Sequence, residues 1–120
     1  MATSELAEKI KDFAMWEIKP LNNTEEGLQI PTISRSFTCK NFQLAMDAIN
    51  SIGVICEAEN HHADLHIESY RNVRIVVYTH KVKGVTGNDI ELARMIDGVK
   101  VGYSPVWLKK HAEADGSQIV

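Results

Sequence analysis

Glu59 to His80 reads ENHHADLHIESYRNVRIVVYTH and holds four of the chain's five histidines. Its two halves decide the fold, because both alternate. In DLHIES, Leu65 and Ile67 alternate with Asp64, His66 and Glu68. In NVRIVVYTH, Val73, Ile75 and Val77 alternate with Arg74, Val76, Tyr78 and His80. A period of two is the side-chain period of a strand, so each half predicts a strand with one face on a core and one face open. The short link YRN pairs them as an antiparallel hairpin.

Upstream of this hairpin, Phe42, Ala45, Met46, Ile49 and Ile52 recur at i, i+3, i+4 and i+7, the stripe of an amphipathic helix, and Gly53 stands where its C-terminal cap belongs. VICEAE then reads as the start of the next strand, interrupted by NHHAD. Further back, WEIKP is expected to be a short strand ended by Pro20. IPTISRSF is expected to be its partner, with Pro31 confining the start to an edge. The turn-rich LNNTEEGLQ joins the two. Ser4 caps a first helix carrying Leu6, Ala7, Ile10, Phe13 and Ala14 up to about Met15. Downstream, Thr86 caps a last helix, Asp89 stands three residues on as in a capping box, Val85 can staple to Ile90, and Gly98 ends it. The expected order is α-β-β-α-β-β-α. It describes an α+β fold, a four-stranded antiparallel sheet with three helices on one face. Residues 1–98 form the single expected domain, and 99–120 an extension to which the pattern assigns no structure.

Composition narrows the function classes. The 120 residues are 44% hydrophobic and 24% charged, an ordinary globular balance. A net charge of −3 and a pI near 5.9 give no nucleic-acid footprint. No apolar run is long enough to span a bilayer. The opening MATSELAEKIKDFA carries acids and lacks an apolar signal core. Cys39 and Cys56 are too few and too loosely spaced for a disulfide framework or a zinc knuckle. A reduced, cytoplasmic protein is expected, with the nucleus as the second compartment.

Three explanations compete for the histidines. Zinc needs ligands converging to about 2.0–2.1 Å. His62 and His66, four apart on a strand, would stand roughly 13 Å from one another, and no metal is expected. His66, flanked by Asp64 and Glu68, reads as a polar position on the open face, and His111 as a solvated residue of a polar tail. Proton transfer is the third explanation. In an antiparallel hairpin the start of one strand lies beside the end of the other, so His61, His62 and His80 are expected to be neighbours on the open face. Imidazoles near neutrality suit general acid–base chemistry. Glu57 and Asp89 could join them, although Glu57 also reads as surface charge and Asp89 as a helix-start residue.

CEAENHHAD, a strand closed by Thr79-His80, and then KGVTGND together resemble the signature of the pterin-4a-carbinolamine dehydratases. In that family a glutamate stands four residues before a His-His pair, as Glu57 does here before His61. An aspartate follows the Thr-His by nine residues, as Asp89 follows His80. Trp16, the SRSF…NF stretch and the helix from Phe42 to Ile52 extend the resemblance over about Ser4 to Gly98. Ala63 replaces the family's usual proline, Asn60 a common aspartate, and Tyr78 a position often small and polar. The turn after Pro20 is longer and the tail has no counterpart.

The resemblance implies an enzyme that dehydrates a 4a-hydroxytetrahydropterin in tetrahydrobiopterin recycling, without metal or organic cofactor. It implies His62 and His80 as the acid–base pair, His61 orienting the pterin, Glu57 tuning or relaying protons, and Asp89 completing the set. Ala63, Tyr78, Thr79 and Lys81 join the histidines as implied substrate contacts. It further implies a homo-oligomer, a dimer or tetramer. Some relatives instead stabilise the dimer of a transcription factor, so a non-catalytic protein-binding role is the alternative.

Overall fold

The structure, a computed structural model, describes residues 3–11, 13–23 and 28–115. The elements run α1 (Thr3–Ile10), β1 (Trp16–Asn23), β2 (Leu28–Thr38), α2 (Phe42–Glu59), β3 (Asp64–Glu68), β4 (Asn72–Val77), α3 (Gly87–Asp97) and α4 (Pro105–Asp115), with a short 3-10 turn at His80–Val82 before α3. All four strands lie in one antiparallel sheet in the order β1-β2-β4-β3. The expected α+β architecture holds, with four α-helices among the described residues rather than three. Of the link between β1 and β2, residues 24–27 lie outside the described residues.

Alternation sets the layers. On β2 and β4, Ile33 faces Val77, Arg35 faces Ile75 and Phe37 faces Val73, and all six are at most 2% exposed. These residues meet Leu6 and Ile10 of α1, Ala45, Ala48, Ile52 and Cys56 of α2, and Leu92, Ala93 and Ile96 of α3 in one buried cluster. The other parity (Ser36, Arg74, His66, Glu68) lies on the second face.

Several expectations need correction. α1 spans Thr3–Ile10, so Ser4 lies inside it rather than capping it, and it stops short of Met15. α2 does not stop at Gly53 but continues to Glu59, and VICEAE is helical rather than the start of a strand. The buried stripe Ala45, Ala48, Ile52, Cys56 passes straight through Gly53. A glycine inside a helix costs only about 0.5–1 kcal/mol relative to alanine, less than burying the last turn's Cys56 face returns. Asn60 ends the helix instead, in the left-handed conformation at φ 50°, ψ 41°, with its N–H directed to the carbonyls of Cys56 and Glu57. β1, likewise, does not end at Pro20 but runs on to Asn23, with Pro20 directly opposite Pro31. β1 is an edge strand, where proline is tolerated. Pro31 is tolerated because β4 reaches along β2 only as far as Ile33.

The segment after Val99 is ordered against the domain. Lys40 N–H donates to Gly102 O at 2.9 Å, Ser104 N–H to Thr38 O at 2.9 Å, and Cys39 and Tyr103 form an antiparallel bridge. Gly102 passes so close to α2 that a Cβ there would lie 2.7 Å from Leu44 Cδ1. α4 follows. His111 is not a solvated tail residue: it is half-buried, stacked on Trp107 at 4.2 Å, with Nδ1 2.8 Å from Trp107 O. Among the described residues no helix is long and apolar enough to cross a membrane.

Candidate active site

The site forms where α2 ends, β4 ends and α3 begins. The left-handed Asn60 turns the chain sharply off α2, and His61, His62 and Ala63 cross to β3 outside the strand ladder. On the other side, β4 runs out at Val77. Thr79 then closes a small loop by bridging to Gly84, with Thr79 N–H donating to Gly84 O at 2.8 Å. That loop delivers Thr86 as the N-cap of α3.

Asp89 joins these pieces. It is 0% exposed, and a buried carboxylate is tolerable only with partners. Its Oδ2 accepts the Thr86 N–H at 2.8 Å, the Thr79 hydroxyl at 2.8 Å and the Thr86 hydroxyl at 3.3 Å. The Thr86 N–H bond is the reverse half of the expected capping box. The other oxygen, Oδ1, lies 2.6 Å from His61 Nε2, with the His61 side chain 20% exposed. The proximity is that of an ion pair, but the contact is not aligned as a hydrogen bond, and among the described residues Oδ1 has no hydrogen-bond partner. The first turn of α3 also offers its helix dipole to the carboxylate's negative charge.

The two paired histidines therefore diverge. His61 turns toward α3. His62 is exposed, its Nε2 2.5 Å from Oε2 of Glu57 on the last turn of α2. His80 is exposed on the 3-10 turn and packs its ring against Tyr78, centroids 4.5 Å apart. Among the described residues His80 makes no hydrogen bond or ring contact with His61 or His62; each of the three has a different partner, Asp89 for His61, Glu57 for His62 and Tyr78 for His80. Tyr78 is buried. Burial, with Asp64's negative charge second, pushes its hydroxyl above the ordinary tyrosine range. Ala63 is half-buried, Lys81 is exposed, and His66 sits on β3 opposite Arg74.

A cavity of about 480 Å³ opens beside this constellation. His61, Thr79 and Thr86 line it together with Asn60, Asn88 and Met95. His62 and His80 do not line it, but each directly follows a residue that does. The α3 wall of the cavity was not anticipated from sequence, although Asn88, Glu91 and Met95 fall at i, i+3 and i+7 and Met95 is a 39% exposed apolar side chain. A second cavity of equal volume lies between the sheet and α4, walled by Phe37, Arg74 and Trp107. It is lined by none of the predicted site residues. No group of three His, Cys, Asp or Glu side chains among the described residues is arranged to hold a metal ion.

Comparison with known proteins places the chain in a family. A sequence model of the family described as Pterin 4 alpha carbinolamine dehydratase matches residues 1–99. The mitochondrial pterin-4-alpha-carbinolamine dehydratase 2 of Arabidopsis thaliana is 33% identical over 92 residues, which is 77% of this chain and 46% of the relative, so the match spans about half that protein's length. A Trichodesmium erythraeum protein, whose name assigns it the same activity provisionally, is 31% identical over 99 residues, 82% of this chain and 95% of its own. The crystal structure of a transcriptional coactivator/pterin dehydratase from Brucella melitensis superposes with a TM-score of 0.65 at 26% identity, covering 81% of this chain and 94% of that one. A pterin dehydratase-like protein described as a RuBisCO assembly factor shares the fold alone, with a TM-score of 0.51 at 10% identity over 68% of this chain and 83% of its own. With the match running through α1 to the end of α3, and so through every residue of the site, the chain belongs to the pterin 4 alpha carbinolamine dehydratase family.

Proposed function

We propose that this protein removes water from a 4a-hydroxytetrahydropterin to give a quinonoid dihydropterin, a step in recycling tetrahydrobiopterin. In this reaction the C4a–O bond breaks and the oxygen leaves as water after taking a proton. The adjacent ring nitrogen loses its proton, and its electron pair forms the new double bond to C4a. No redox change occurs, and no metal or organic cofactor is required.

One observation carries this reading: a histidine on the wall of a 480 Å³ cavity, held 2.6 Å from a fully buried carboxylate. His61 rests against that carboxylate on the cavity wall, which suits orienting the pterin. His62 and His80 flank that position and stay exposed, which suits exchanging protons with substrate and solvent. Glu57, 2.5 Å from the His62 ring, would tune or relay its proton, and Thr79 would position Asp89 as well as border the substrate. A dehydration assay on a 4a-hydroxytetrahydropterin tests the proposal. Acceleration over the spontaneous reaction is expected, and none at stoichiometric protein would sink it.

The Brucella neighbour's description as a transcriptional coactivator as well as a dehydratase supports a second reading, a dimerisation cofactor for a protein partner. Binding of a helical partner that survives replacement of His61, His62 and His80, in a protein without dehydratase activity, would favour it.

A further inference from the structure

Arg35 is the largest of the fully buried side chains, 1% exposed on the helix-facing side of β2. Its Nη1 donates to Asp97 Oδ1 at 2.9 Å, and the same oxygen accepts Trp16 Nε1 at 2.8 Å. Its Nη2 donates to the Tyr103 hydroxyl at 2.5 Å, the guanidinium lies 5.1 Å from the centre of the Phe37 ring, and its Nε is buried without a hydrogen-bond partner among the described residues. A guanidinium this deep is held by a small number of fixed contacts, and one of them comes from beyond residue 99, where the family match ends.

Asp97 is the last residue of α3, and Asp89, the carboxylate behind His61, is in its first turn. Eight residues of helix separate them by about 12 Å of nearly rigid rod. The strands and the arm therefore grip one end of α3, and the other end grips the histidine. We propose that the arm from Val99 to His111 is a positioning element of the active site: through Tyr103 it fixes Arg35 on Asp97, and α3 passes that placement to Asp89 and His61. Shifts of about 1–2 Å are the scale on which packed helices move in switching transitions, and a misplacement of about 1 Å near reacting groups can cost 10²-fold in rate. The kinetic part of this inference rests on the dehydratase reading; the geometric part does not.

The hydroxyl can be tested alone, because other contacts keep the arm docked. Tyr103 meets Phe37 edge to face at 5.7 Å and stacks on Trp107 at 5.1 Å, and the Gly102 and Ser104 backbone bonds to β2's end remain. In the full-length chain, Tyr103→Phe should fold, yet displace the imidazole ¹⁵N signals of His61, identified by their loss in His61→Gln, toward those of Asp89→Asn. Its kcat should fall several-fold with KM little changed. Arg35→Lys keeps the charge on Asp97 but loses the fork that reaches Tyr103, and it should displace the same signals, which keeps the test open if Tyr103→Phe does not fold. His61 signals identical to wild type in the folded variants would overturn the proposal and leave the arm a stabiliser only, whatever happens to the unfolding temperature. The ring signals are read without substrate, so an inactive wild type would sink the dehydratase reading and not this one.

Discussion

Asp89 serves two demands with its two oxygens. From sequence it stood between a helix-start residue and a site residue; the structure shows the helix start in Oδ2, which takes the Thr79 and Thr86 donors, and leaves Oδ1 facing His61. The direction of His61 was not legible in the same way. Strand parity counts only while residues stay in the ladder, and His61 to Ala63 lie outside it, just past a left-handed Asn60. His66 is the internal control, since it does lie in the ladder, opposite Arg74. His62→Ala or His80→Ala should each lower turnover by about 10²-fold or more. The double variant should lose less than the product of the two, as groups acting on one substrate do, whereas His66→Ala should leave steady-state rates nearly unchanged. Loss of activity in His66→Ala with activity kept in His80→Ala would reverse the assignment.

At the scale of elements, α2 shows where pattern reading stops. A glycine after an apolar stripe, followed by the β-branched VIC, looks like a helix end and a new strand. What decides otherwise is that Ile52 and Cys56 face the sheet four residues apart, whereas Val54 between them is 70% exposed. Partners distant in sequence selected the helical period, and a local reading could not see them. The β3–β4 hairpin, in contrast, was readable because its alternation is self-contained. Gly53 remains an internal weakness. A Cβ there would meet nothing within 4 Å, so Gly53→Ala should stabilise the protein by about 0.5–1 kcal/mol, visible as a higher urea midpoint with an unchanged slope. A lower midpoint would mean that the added methyl collides with a surface the monomer leaves open, such as a neighbouring subunit.

For the whole molecule, burial of ionisable groups sets an alkaline limit. The Cys39 thiol, 0% exposed, is pushed by burial from 9.0 to about 11, and Tyr78 moves in the same direction. A group whose folded pKa is raised keeps its contribution below the unfolded value and loses it as pH climbs toward the folded one. Stability should therefore be insensitive to these groups below about pH 9 and decline between about 9 and 11; a urea midpoint measured across that range should fall, and Cys39→Ala should flatten part of the decline. Sedimentation should show an assembly of two or four copies of the 13.4 kDa chain; a lone monomer at micromolar concentration would contradict that expectation. Pro20 and Pro31 limit how such copies can add edge to edge. Two prolines face to face cannot exchange N–H bonds, so that rung is a non-bonded one, and the donor absent from Pro20 is absent from the outer margin of β1. One side of the sheet thus lacks a donor that an incoming strand would need, while the β3 margin keeps its full set. Unequal margins favour closure in pairs through the β3 side, while every strand added at the β1 side would leave one rung unmade, which works against growth into a fibre.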